Sequence, residues 1–480
     1  MLLEQAPERL AAVERLELLC DEQSLRVIRS KVTSPRMGGK ARPGDGVVGA
    51  AGSIDGRAVF CYAQDGGFAG GSLGAAHADT IVRVHQLAGQ AGVPVIGFIE
   101  SGGARMQEGI AALGGYGRIF RENVALSGRV PQVSVIAGAS AGGGSYSPAL
   151  TDFVVMRDDA SMFLTGPAVV RAAIGEDVSA EELGGARVHE RNGVCHFVTP
   201  SDVDSIFLVR ELLSYLPQNA SEPPPTIPAV GPPGDDPGRH VPSESRRVYD
   251  VRDVITEVVD DGRVLEVSAK WARNMVTCFA RIEGRPIGVI ANQPRYLGGV
   301  IDCDAAQKAA RFVRTCNAYG LPLVVLVDAP GFMPGKKQET AGVIRHGAKL
   351  LHAFAEATVP RLTVVLRKAF GGAYITMNAK DLGADLAFAW PDAEIGVMAA
   401  SQAVGIIQRR EIEAADDPEE ARRELATAYA DEHLGAECAA RDGFIDEVIE
   451  PAETRERLAS GLHAFARRQG RQGEAGNIPL

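Results

Sequence analysis

VPQVSVIAGASAGGGSY (Val130–Tyr146) and VPRLTVVLRKAFGGAY (Val359–Tyr374) are the stretches on which the reading of this chain turns. Each opens with Val-Pro, runs through mostly apolar residues, and closes on a cluster of small residues before an aromatic. A continuous apolar run ending at glycine suits a strand buried on both faces of a parallel sheet. The second copy begins 229 residues after the first. Upstream of each stands another such run, GVPVIGFIESGG (Gly92–Gly103) and GLPLVVLVDAPG (Gly320–Gly331), 228 residues apart. A helical stretch joins the members of each pair, IAALGGYGRIFRENVALSG in the first half and GVIRHGAKLLHAFAEAT in the second. Two motifs repeated in the same order and nearly the same register predict a tandem α/β protein made of repeated strand–loop–helix units.

A chain of 480 residues fits that duplication, because single cores rarely grow past roughly 250–300 residues. Between the halves lies PQNASEPPPTIPAVGPPGDDPGRHVPSESRR, residues 217–247, rich in Pro, Gly and Ser. Proline removes backbone donors and glycine raises the entropy cost of ordering, so a linker is expected there. The predicted division is a first domain over 1–222, a linker over 223–247 and a second domain over 248–480. The net charge of −11 makes general nucleic-acid binding a poor fit, since phosphate contacts need clustered Lys and Arg. The N-terminal MLLEQAPERLAAVERLELL has no basic region followed by an apolar core, and no run reaches membrane-spanning length, so a cytoplasmic protein is expected. The seven cysteines are scattered without a C-x-x-C pair, which predicts reduced, buried thiols and no zinc ribbon; no metal is expected.

The glycine clusters carry the chemistry. In Ala141-Gly142-Gly143-Gly144 and Phe370-Gly371-Gly372-Ala373, small residues follow a buried strand and precede a segment that can open a helix. Amide N–H groups left uncovered at such a turn can bind a developing oxyanion. One Gly-Gly turn alone is better explained by tight strand–helix packing, but duplication at matching positions favours two oxyanion sites, one per half. Other groups say less. Ser145 lies outside a G-x-S-x-G elbow, so a serine hydrolase has weak support. Glu100 and Glu108 flank Ser101-Gly102-Gly103-Ala104-Arg105 and are better read as caps than as an acid/base pair. Asp328 at a strand end reads as a cap or turn residue, and Arg345 with Lys349 as a solvated helix face. A hydratase-type enzyme would need a Glu pair beside one turn, which neither half shows clearly.

Taken together, these stretches resemble one family. ESGGARMQEGIAALGGYG, PQVSVIAGASAGGGSYSPALTDFVVM and TGPAVVRAAIGEDVSAEELGGARVH resemble the first half of acyl-CoA carboxylase β subunits. The second half is matched by ANQPRYLGGVIDCDAAQKAARFVRTCNAYGLPLVVLVDAPGFMPG, IRHGAKLLHAFAEATVPRLTVVLRKAFGGAYI and FAWPDAEIGVM, with GNIPL at the end. The resemblance runs from about Gly46 to Leu480 and is nearest to the actinobacterial acetyl-CoA and propionyl-CoA carboxylase β chains. It implies two tandem crotonase-like domains (ClpP/crotonase superfamily) of repeated ββα units. It implies a homohexamer whose sites lie between the first domain of one chain and the second domain of another. The partner would be a separate α subunit carrying biotin carboxylase and the biotin carrier. Carried over to this chain, Gly142, Gly143 and Gly144 would face the biotin ureido oxygen, and Gly371, Gly372 and Ala373 the acyl-CoA thioester oxygen. Ser101, Gly102, Gly103, Ala104 and Arg105 would help hold CoA. Tyr374 and Ile375 would bear on acyl selection, position 375 in the family often being Asp in propionyl-CoA enzymes and apolar where acetyl-CoA is accepted. The implied activity moves a carboxyl group from carboxybiotin to the α-carbon of acetyl-CoA or propionyl-CoA. A biotin-dependent decarboxylase or transcarboxylase subunit, or a non-catalytic assembly subunit, is the alternative of the same fold. Residues 24–43 are shorter and less familiar than in the propionyl-CoA enzymes.

Overall fold

A computed structural model describes residues 9–244 and 246–466. The chain divides into two compact units between Pro225 and Thr226, each built on an eight-stranded sheet. In the first unit the strands are β1 (Arg26–Ile28), β2 (Val47–Ile54), β3 (Arg57–Gln64), β4 (Val95–Ser101), β5 (Gln132–Ala141), β6 (Phe153–Arg157), β7 (Ser161–Phe163) and β8 (Phe197–Thr199). In the second they are β9 (Leu265–Glu266), β10 (Met275–Ile282), β11 (Arg285–Asn292), β12 (Leu323–Ala329), β13 (Arg361–Phe370), β14 (Leu386–Ala389), β15 (Glu394–Gly396) and β16 (Glu447–Val448). The first sheet runs β1-β2-β3-β4-β5-β6-β8 with β7 on β5, and the second runs β9-β10-β11-β12-β13-β14-β16 with β15 on β13. The order is the same strand for strand, so the repeat seen in the sequence is a repeat of topology.

Each sheet opens with an antiparallel hairpin and continues with parallel strands. The hairpins turn on Asp55-Gly56 and Glu283-Gly284, with φ of 49° and 76° in one and 50° and 74° in the other. Positive φ at both central residues of a two-residue loop matches the right-handed twist of the flanking strands, and glycine takes the second position at no steric cost. The parallel strands are covered on both faces, which is why their sequences are apolar throughout rather than alternating. In the second unit, Val254, Ile255, Leu458 and Leu462 from the helices Val251–Val258 and Thr454–Ala464 share a core with Val276, Val324 and Val364. Phe279, the alternate residue of β10, meets Phe312 of the helix Cys303–Ala318, ring centroids 5.0 Å apart.

Part of the stretch expected as a linker is hydrogen-bonded to the second unit. Residues 226–244, 246 and 247 fall in that unit. Ile227 N–H donates to Gly284 O at 3.0 Å, Arg455 donates to Val230 O at 3.1 Å, and Arg367 to Arg247 O at 2.8 Å. A proline-rich segment has few donors but keeps its carbonyls, and arginines from the folded unit use them. All seven cysteines are free and six are buried, Cys20 and Cys61 with sulfurs 4.0 Å apart. Among the described residues, no helix is long and apolar enough to cross a membrane.

Candidate active site

Both glycine clusters sit where a long parallel strand hands over to a short helix. β5 ends at Ala141, and Gly142 takes φ 60° and ψ −124°, a region open to glycine and strained for any other residue. Its N–H donates to Phe163 O of β7 at 3.0 Å. The helix Gly143–Ala149 follows. Ser145 is spent on local structure, its hydroxyl 2.9 Å from both Ser140 O and Phe163 O. The ring of Tyr116 lies against Gly143 so closely that a Cβ there would stand 2.6 Å from two ring atoms. The second turn follows β13 in the same way. Gly371 has φ 58°, the helix Gly371–Thr376 begins at once, and the Thr376 hydroxyl donates to Gly372 O at 2.7 Å. Here Phe332 occupies the ring's place, but 3.7 Å from a Cβ on Gly372, an ordinary contact.

Gly372 and Ile375 are exposed, and Ala373 is fully buried. Tyr374 is half-buried; burial pushes its phenol up to about 12, and its hydroxyl has no hydrogen-bond partner among the described residues. In the first helix of a turn like these, the leading amides have no intrahelical acceptor and point out of the helix end. That backbone is suited to binding an oxyanion.

The Ser101–Arg105 segment is placed differently from expectation where its charge is concerned. The Arg105 side chain is fully buried, 2.7 Å from Asp45 and 2.9 Å from Glu108, and donates to Ser72 O at 2.9 Å. Its guanidinium neutralises two buried carboxylates and cannot also face a ligand. Gly102 N–H is taken by Gly70 O, and Leu73 N–H by Gly103 O, so the loop is bolted to its neighbour and offers an exposed Gly102 backbone. Ser101 turns its hydroxyl to Tyr116 at 3.2 Å.

The carboxylates serve structure. Glu108 caps the helix Ala75–Ala91 by accepting from Ala75 N–H at 2.8 Å. Burial alone would raise its pKa, but the bonds from Ala75, Ser34 and Arg105 hold it below the usual range. Glu100 pairs with Arg15 at 3.1 Å. Asp328 pairs with Arg367 at 3.0 Å, and burial pushes its carboxyl up. Arg345 and Lys349 are exposed. No group of His, Cys, Asp and Glu able to hold a metal ion occurs among the described residues. Sequence reasoning missed Tyr116 and Phe332, the rings that back the two turns. The available signal was an aromatic among glycines in GGYG and another directly after APG.

Comparison with known proteins fits this architecture. The family model described as the carboxyl transferase domain matches residues 4–473. A propionyl-CoA carboxylase carboxyltransferase subunit from Haloferax mediterranei is 48% identical over 91% of this chain and 86% of its own length. A biotin-dependent acetyl-/propionyl-coenzyme A carboxylase beta5 subunit from Mycobacterium tuberculosis is 45% identical over 99% of this chain and 90% of its own. Among solved structures, a transcarboxylase 12S, described as a hexamer and with methylmalonyl-coenzyme A and methylmalonic acid bound, superposes with a TM-score of 0.94. It is 46% identical, over 98% of this chain and 93% of that one. The two tandem crotonase-like units are those of a carboxyltransferase, and the chain belongs to the carboxyl transferase family. Within that family it is a carboxyltransferase subunit of the biotin-dependent acyl-CoA carboxylase kind.

Proposed function

We propose that the chain moves a carboxyl group between carboxybiotin on a separate carrier protein and the α-carbon of acetyl-CoA or propionyl-CoA, giving malonyl-CoA or methylmalonyl-CoA. The observation that carries this reading is the doubled turn. Gly142 and Gly371 share a positive φ after equivalent strands, and each is followed at once by a short helix. The reaction develops negative charge on two oxygens, one on each reactant, so two backbone oxyanion sites answer its needs. The first unit takes the biotin side with Gly142, Gly143 and Gly144; the second takes the thioester side with Gly371, Gly372 and Ala373. Carboxybiotin would supply the CO2 and a nitrogen base, so no protein side chain has to remove the α-proton. The role of this chain is to orient the two reactants and stabilise their oxyanions with fixed amides. The first turn fits such a group, because nothing stands closer than 3.9 Å to a Cβ built on Gly142.

Apolar side chains around each turn support assembly with further copies. Met106 and Ile110 are 91% and 81% exposed in the first unit, and Ile344 and Val397 are 78% and 74% exposed in the second. Large apolar residues left this open mark surfaces that other chains cover. The proposed assembly is a homohexamer whose sites join the first unit of one chain to the second unit of another, with a biotin carboxylase and carrier α subunit as partner, in the cytoplasm. The same half-reaction run backwards, from a carboxylated acyl-CoA to biotin as in a biotin-dependent decarboxylase or transcarboxylase subunit, is the second reading, favoured by the likeness to the 12S transcarboxylase. A carboxylation assay with a biotinylated α partner across acetyl-, propionyl- and butyryl-CoA tests the proposal. Carboxylation of the two shorter substrates is expected; no biotin-dependent product from any of them would refute it.

A further inference from the structure

Hydroxyl groups gather behind the first turn. Ser101 Oγ lies 3.2 Å from the Tyr116 hydroxyl and accepts from Gly103 N–H at 3.3 Å. The Tyr116 hydroxyl stands 3.6 Å from where a Cβ on Gly144 would be. Ser140 Oγ is fully buried with no hydrogen-bond partner among the described residues, 3.0 Å from where a Cβ on Gly144 would stand. Ser101 and Ser140 are register partners across β4 and β5. The register partners at the same place in the second sheet are Ala329 and Ala369, and the ring near Gly372 is Phe332, which has no hydroxyl. The framework is the same, but polar groups back one turn and apolar groups the other.

The amides of the first turn can be accounted for one by one. Gly142 N–H goes to Phe163 O and Ser145 N–H to Gly142 O. Gly143 N–H and Gly144 N–H have no protein acceptor among the described bonds. Tyr116 also fixes the Gly143 peptide sterically, since its ring leaves no room for a Cβ. The ring is itself held, stacked on Phe120 at 6.0 Å, which meets Tyr146 edge-on at 6.1 Å.

We infer that Tyr116 is a positioning residue for carboxyl transfer: its ring fixes the Gly143 peptide and its hydroxyl holds the Ser101 loop beside it, leaving the Gly143 and Gly144 N–H groups to face an oxyanion. What the turn binds rests on the function proposed above; how Tyr116 holds it does not. Tyr116→Phe keeps the ring and removes the hydroxyl, while Tyr116→Leu removes both. In the assembled full chain, Tyr116→Phe is expected to leave the melting temperature unchanged. Amide hydrogen exchange across residues 101–105 should rise about tenfold in Tyr116→Phe, the worth of one neutral hydrogen bond, and exchange across 141–147 should rise in Tyr116→Leu, with residues 370–376 unaltered in both. With malonyl-CoA or methylmalonyl-CoA as carboxyl donor and free biotin as acceptor, kcat should fall about tenfold and the KM for the acyl-CoA donor should stay the same. Tyr116→Leu should lower the melting temperature as well. Exchange equal to the parent's, across 101–105 in Tyr116→Phe or across 141–147 in Tyr116→Leu, overturns the inference, whatever the activity. Faster exchange with kcat unaltered overturns the positioning role, as does a loss that falls on the KM for acyl-CoA alone. If the parent itself moves no carboxyl group to free biotin, the functional reading fails, and the exchange comparison still decides the hold of Tyr116 on the turn.

Discussion

The turns after β5 and β13 have the same backbone and different surroundings. Each begins with a glycine at φ near 60° and leads into a helix of six or seven residues. Around them the two units solve the same problems with different residues. The carboxylate one residue before the end of β4 is Glu100, and its counterpart in β12 is Asp328. Asp328 is neutralised by Arg367 from the neighbouring strand β13. The first unit has Gly138 at that position, where a Cβ would stand 2.9 Å from Glu100 atoms, and its arginine comes from the N-terminal helix as Arg15. Packing differs too: Tyr116 closes tightly on Gly143, and Phe332 loosely on Gly372. Duplication thus preserves the backbone that presents amides, while the supporting side chains are free to diverge.

The largest expected effect tests the ion pairs. Arg367→Met strands a carboxylate that is 1% exposed, and breaking a buried pair from one side costs about 3–5 kcal/mol. Arg15→Met should cost less, because Glu100 is 19% exposed and the other partner of Arg15, Asp202, keeps Arg157 at 3.4 Å. Denaturant unfolding of the two variants at equal protein concentration checks the order; equal losses would mean that the strand-end carboxylates are not differently supported.

Next comes the packing of the turns. Gly143→Ala drives a methyl into the Tyr116 ring and should destabilise the first unit by about 1–3 kcal/mol, the usual cost of overpacking. Gly372→Ala places its methyl 3.7 Å from Phe332 and should change stability little. Melting curves of the pair decide this, and a destabilised Gly372→Ala would contradict the looser packing of the second turn.

The smallest effect concerns acyl choice. Ile375 is 47% exposed, two residues beyond Ala373 in the second turn's helix, and its counterpart in the first is Tyr146, 52% exposed. Ile375→Asp replaces an apolar wall with a charge and should shift the kcat/KM ratio of propionyl-CoA over acetyl-CoA upward about tenfold, within the range that one methylene in a pocket can discriminate. An unchanged ratio would remove Ile375 as a selector.

The strands, the glycine turns and their duplication were legible because buried parallel strands and positive-φ positions restrict residue choice strongly. Long-range pairing was not. Arg105 stands in a loop motif beside exposed-looking glycines, and only the fold brings Asp45, 60 residues earlier, against it. The bonds to the Pro-rich stretch were hidden for a related reason: composition shows what a segment lacks in donors, and not that Arg367 and Arg455 will take its carbonyls. Tyr116 was hidden because an aromatic on a helix reads as core until its ring is seen against Gly143 and its hydroxyl on Ser101.

Gly372→Val gives the most direct test of the central claim, that fixed amides at the turns stabilise the reaction's oxyanions. Gly372 is exposed, so a branched side chain there shields the amides without a forced clash in the core. Carboxyl transfer should be measured on parent and variant after both are shown to reach the same oligomeric state. The account predicts a fall in rate of about 100–1,000-fold, as for the removal of one oxyanion donor; near-parental turnover by the assembled variant would contradict it.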